Sequence, residues 1–116
     1  MPGQDDINEL ARRALAVFER WKGSRQALSR TNLCQMLDCD DRLLRMAVRE
    51  LRVRGYLIVA DPTGGYRFAR HGNEVYEYVG TLTSRIRSLR EVSEAMTAEA
   101  QRQFGPRREQ LSMFGS

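Results

Sequence analysis

The chain has 116 residues, a formal net charge of +4 and a pI near 9.6, which suits one domain plus an extension. No run of about 18 apolar residues occurs, so a transmembrane helix is not expected. The opening MPGQDD lacks the cationic and apolar regions of a signal peptide, so a cytoplasmic protein is expected.

Of 19 basic residues, Lys22 is the only lysine. Arginine suits bidentate contacts to phosphate and guanine. A high-GC genome that favours arginine codons explains the bias equally well. Location is more informative than the total. From Arg20 to Arg70 there are eleven basic residues against five acids, a local excess of six. The two cysteines, Cys34 and Cys39, have no second pair and no nearby histidine. A zinc site is therefore not expected, and both should be free thiols, with Cys34 in the core.

A first helix is predicted from Asp5 or Asp6, either of which can cap it, to about Trp21. Ile7, Leu10, Ala11, Ala14, Leu15, Val17, Phe18 and Trp21 fall at helical spacing, Gly23 ends the element, and Trp21 is expected in the core. Ala27-Leu28-Ser29 reads as extended. A second helix begins near Arg30 or Thr31, with Ser29 or Thr31 as N-cap and Leu33, Cys34 and Leu37 on one face. Asp38-Cys39-Asp40 is a tight turn.

The stretch DDRLLRMAVRELRVRGYLIV, Asp40–Val59, then reads as helix, glycine stop and strand. At about 100° per residue, Leu44, Ala47, Val48 and Leu51 share one narrow face. Arg42, Arg45, Arg49 and Arg52 form a stripe turned away from it. Asp40 or Asp41 can cap the first turn, and Gly55 stands where a helix ends. Two helices joined by about three residues, the second carrying arginines, form a helix-turn-helix pattern. After Gly55 the period becomes two. Tyr56–Ala60 is a strand, Asp61-Pro62-Thr63-Gly64-Gly65 a turn, and Tyr66–Ala69 a second strand, making a β-hairpin.

The order helix, short strand, helix, helix, hairpin over LSRTNLCQMLDCDDRLLRMAVRELRVRGYLI…GGYRFA resembles the winged helix-turn-helix domains common in bacterial phages and prophages. The resemblance covers about residues 6 to 70 and implies a mainly α fold with a small hairpin wing at 5–71. It also implies double-stranded DNA as partner. By position, Arg42, Arg45, Arg49 and, in the same stripe, Arg52 would face the groove. Arg67 and Arg70 would be wing contacts. The wing Asp61–Gly65 is short with no basic residue at its tip, which departs from deep groove insertion. Winged helices also serve as protein-binding modules. Arg45 with Glu50, or Arg54 with Glu50, can instead form solvated intrahelical pairs.

Residues 72–104 read as one long helix of about 50 Å. Val75, Val79, Leu82, Ile86, Leu89, Ser93, Met96 and Ala100 alternate in steps of four and three, a heptad seam that weakens at Ser93, with Val92 beside it. Either this helix pairs with its copy as a dimerisation coiled coil through Val75, Val79, Leu82, Ile86, Leu89 and Met96, or its first part packs on the preceding domain. Arg85, Arg87 and Arg90 read as a solvated face.

Gly105-Pro106 stops the helix, and 105–116 is a tail ending QLSMFGS. QLSMF resembles the bacterial sliding-clamp-binding pentapeptide Q-L-(S/D)-L-F, with Met113 where leucine is usual. The resemblance implies that Gln110 bonds at a pocket rim. Leu111, Met113 and Phe114 would fill an apolar cleft, with Ser112 between them. Alternatively, the three apolar residues fold back on the long helix or a partner.

His71, the only histidine, lacks a serine or cysteine partner in a recognisable motif, and no P-loop, GxGxxG or metal cluster occurs. Asp38, Asp40 and Asp41 are better explained by capping than as a metal site. No enzyme, cofactor or metal is expected. Three functions compete. The first is a phage-type accessory or regulator of DNA replication or repair, docked on the clamp. The second is a dimeric transcriptional regulator at an operator. The third is an adaptor or clamp inhibitor that binds no DNA.

Overall fold

A computed structural model describes residues 2–24 and 26–107 of the chain. It is mainly helical, with a small three-stranded antiparallel sheet and a long C-terminal helix. Two compact units divide it, the first ending at Tyr78 and the second beginning at Val79.

In the first unit, α1 spans Gln4–Arg20. Its start is fixed from within: the Asp6 carboxylate accepts a hydrogen bond from the Gly3 amide at 3.2 Å, and Asp5 and Asp6 face the positive end of the helix. Trp21 is the C-cap and is 41% exposed, so it is not the core residue that its spacing suggests. The apolar stripe of α1 ends one turn earlier, at Phe18.

β1 (Leu28–Ser29) leads into α2 (Arg30–Leu37). The Ser29 hydroxyl accepts from the Asn32 amide at 3.0 Å and caps the helix. Asp38 takes a left-handed conformation (φ 51°), and the Asp38 and Cys39 amides bond back to the Gln35 and Cys34 carbonyls. This closure of the helix end brings Cys34 and Cys39 together. Asp40 then caps α3 (Asp41–Val53), its carboxylate accepting from the Leu43 amide at 2.8 Å. At the far end Gly55 (φ 99°) turns the chain while its amide and that of Tyr56 satisfy the Arg52 and Leu51 carbonyls.

β2 (Ile58–Ala60) and β3 (Gly65–Phe68) follow, in the sheet order β1-β3-β2. Ile58 pairs with Phe68, and Ser29 pairs with Gly65. Gly65 belongs to the strand, and its lack of a side chain is needed there: a Cβ would stand 2.2 Å from the Leu28 carbonyl oxygen. The core gathers Leu10, Ala14 and Phe18 of α1, Leu33 and Leu37 of α2, Leu44, Val48 and Leu51 of α3, and Ile58 and Tyr66 of the sheet. Phe18 meets Phe68 edge-on with ring centres 6.1 Å apart.

α4 spans Gly72–Phe104 and contains no fully buried residue. Its seam residues Val75 and Leu82 are half-buried, while Val79, Ile86, Leu89 and Met96 are exposed. No helix among the described residues is long and apolar enough to cross a membrane. The pentapeptide Gln110, Leu111, Ser112, Met113 and Phe114 lies outside the described residues.

Candidate nucleic-acid interface

The packing of α3 decides which arginines reach solvent. Leu44, Ala47, Val48 and Leu51 are buried against α1 and α2, so the opposite face is outward. Arg42, Arg45 and Arg49 occupy that face and are exposed. Arg45 pairs with Asp41 at 2.8 Å, one turn earlier. Such a solvated pair is worth about 0.3–0.5 kcal/mol and exchanges readily for a phosphate. Arg30, at the start of α2, is exposed and stands 3.9 Å from the Asp41 carboxylate. It also lines a hollow with Asp61, Gly64 and Gly65 of the hairpin turn. Sequence reading counts Arg30 only in the charge excess and not in the site. Its signal is its place at a helix N-terminus beside the turn.

Acidic residues crowd the start of α3. An open cleft of about 910 Å³ between α2 and α3 is lined by Arg30, Thr31 and Gln35 but also by Asp38, Asp40 and Asp41. Asp40 is engaged as a cap, and Asp41 is bracketed by Arg30 and Arg45. Cys34 and Cys39 line the same cleft. Burial and the adjacent Cys34 push the Cys39 thiol up to about 11, so it stays protonated at neutral pH. Among the described residues no three His, Cys, Asp or Glu are placed to hold a metal.

Three of the expected DNA contacts have other work. Arg52 does not join the exposed stripe. Its Nε donates to the Ile58 carbonyl at 2.8 Å, and its guanidinium stacks 4.6 Å from the Tyr78 ring centre and 5.7 Å from that of Tyr66. Its Nη2 is buried without a partner among the described residues. Arg52 thus holds α3, the hairpin and the first turns of α4 together. Arg67, expected as a wing contact, is engaged within the fold. Its side chain is 18% exposed, donates to Asp61 at 3.0 Å and pairs with Glu74. Arg70 donates to the Ser24 carbonyl at 2.6 Å and fastens the loop after β3 to the end of α1.

The Arg67 network is acid-sensitive. The Thr63 hydroxyl, the Thr63 amide and Arg67 hold the Asp61 carboxyl down to about 2. Arg67 also holds Glu74 below its ordinary value. A carboxylate depressed below its unfolded value of about 3.9 stabilises fully above about pH 4, and that contribution is lost as pH falls through about 2. Asp61→Asn is therefore expected to melt below the parent at pH 6, with the gap closing towards pH 2. Thermal melts across that range check this, and a gap independent of pH would contradict it.

Comparison with protein-family models, curated proteins and solved structures gives no match.

Proposed function

We propose that this chain is a winged helix-turn-helix protein that binds double-stranded DNA and is tethered to the bacterial sliding clamp by its C-terminal tail. The role we assign is that of a phage-type accessory or regulator of DNA replication or repair. One observation carries the DNA reading. The order α1-β1-α2-α3-β2-β3 with sheet order β1-β3-β2 supports α3 from behind and leaves Arg42, Arg45 and Arg49 outward on it. A helix backed in this way fits the major groove, where arginine reads guanine edges and phosphates. Arg30 extends the cationic edge towards the hairpin, with Arg67 and Arg70 bracing that hairpin rather than touching DNA.

The clamp reading is carried by Gln110-Leu111-Ser112-Met113-Phe114 placed after Gly105-Pro106. Three large apolar residues at pentapeptide spacing suit capture in a hydrophobic cleft. A clamp so bound raises the local concentration of the arginine face at replicating DNA. Binding of the full chain to an immobilised bacterial clamp, against a chain ending at Gly105, tests the tail. The expected result is loss of at least about tenfold in affinity on truncation, with duplex binding retained. Equal clamp affinity for both chains would remove the tether.

A further inference from the structure

Among the described residues, the second unit carries an apolar stripe that is left exposed. Val79, Ile86, Leu89, Val92, Met96 and Phe104 are 48% to 83% exposed, and all fall on one side of α4. Counting Val79 and Ile86 as a positions of a heptad places Leu82, Leu89 and Met96 at d. Val92, Arg85 and Glu99 then take g positions, and Arg90 and Phe104 take e positions. Polar and small residues fill the remaining helix surface, so the stripe matches another helix of the same kind.

Orientation follows from size and charge. In a parallel pair each seam residue meets its own copy. Leu82 and Leu89 would pack well, but Ser93 and Ala100 would leave two thin layers. Arg85 would also face Arg90 of the second copy, on both sides of the seam. In an antiparallel pair with Glu91 at the two-fold axis, Ile86 meets Met96 and Val79 meets Gln103, while Leu89 meets Ser93 and Leu82 meets Ala100, so each leucine lies against a small residue. Val92 meets Val92 across the axis. Arg85 faces Glu99, twice. Arg90 is the only charged flanking residue to meet its own copy, and Glu94 stands one turn along the same helix to offset it.

The charge order of the helix agrees. Arg85, Arg87 and Arg90 precede the acids Glu91, Glu94 and Glu99, so reversing one helix sets basic against acidic segments. Glu99 is already held in place by Arg102 and Gln103, which donate to its carboxylate. β-branched a positions with leucine at d favour the parallel form. That preference here covers two heptads only, and the four opposed arginines and thin layers outweigh it.

We propose that α4 from Val79 to Phe104 is the docking surface for a second copy of this chain, paired antiparallel with Arg85 of each copy against Glu99 of the other. The overlap spans about three and a half heptads, roughly 37 Å. In this arrangement each tail, from Gly105 onward, leaves the coil at the end where the other copy's helix enters it.

Sedimentation equilibrium of the full chain tests this without DNA or clamp, so its failure leaves the proposed function standing. The parent is expected to be a dimer. Arg85→Glu and Glu99→Arg are each expected to weaken dimerisation by about tenfold, and the double variant to restore it to within about threefold. Both positions are exposed, and retained helicity confirms that the variants fold. A monomer at all concentrations would overturn the proposal. So would tighter association of Arg85→Glu, because in a parallel pair the introduced carboxylate would face Arg90.

Discussion

Replacing Arg42, Arg45 and Arg49 together by alanine is expected to weaken duplex binding by about 10² to 10⁴-fold. Each arginine that grips a guanine edge contributes about 1–3 kcal/mol, and each that grips a phosphate contributes somewhat less. The sum is bounded below that of three ideal base contacts, because Arg45 must first leave Asp41. The fold should be unaffected. All three side chains are exposed on α3, alanine is the better helix former, and the lost Arg45–Asp41 pair is a solvated one. Melting temperature should therefore stay within a few degrees, by the usual size of surface substitutions. Fluorescence anisotropy on a labelled duplex, run beside a thermal melt, separates the two effects. Unchanged DNA affinity in a folded triple variant would mean that the assigned face is wrong.

The second large effect is on stability. Phe18→Ala is expected to cost about 3–5 kcal/mol, a large share of what a domain of this size has to lose. Phe18 is almost fully buried, lies at the centre of the core and touches Phe68 edge-on. Removing the ring opens a cavity between α1 and the hairpin and also loses the aromatic pair. Neither the α1 backbone nor the Gly65 strand position allows easy collapse, since β1 and β3 are already in close contact there. Urea unfolding measures the loss. A cost below about 1 kcal/mol would show that α1 and the hairpin do not share one core.

Much of this fold was legible because its signals are local. Ser29 and Asp40 stand where N-caps stand, and Gly55 stands where a left-handed residue ends a helix. The long helix begins at Gly72 and ends at Phe104, the limits that glycine and proline spacing marked. What the sequence did not show are contacts that a side chain makes across distance in sequence. Arg52 reaches the Ile58 carbonyl and the rings of Tyr66 and Tyr78, none of which helical periodicity can relate to it. One hint was present: at about 80° from Leu44, Arg52 lies nearest the packed face of the four arginines. Arg67 was expected as a wing contact from its position in the winged-helix resemblance. Its partners Asp61 and Glu74 come from the turn and from the next helix. Trp21 misled for a different reason, since the last residue of an apolar stripe can extend past the element it packs against.

The arginine face of α3 is the central claim, and the salt dependence of duplex binding by the full chain tests it most directly. Three to four phosphate contacts per chain from Arg30, Arg42, Arg45 and Arg49 predict a slope of log affinity against log salt of about −3 to −4 per bound chain. Between 50 and 200 mM salt that is a loss of roughly 10²-fold. The triple variant should flatten that slope to about −1. A parent chain with no measurable duplex affinity at 50 mM salt, or with a slope that the triple variant leaves unchanged, would contradict the assignment.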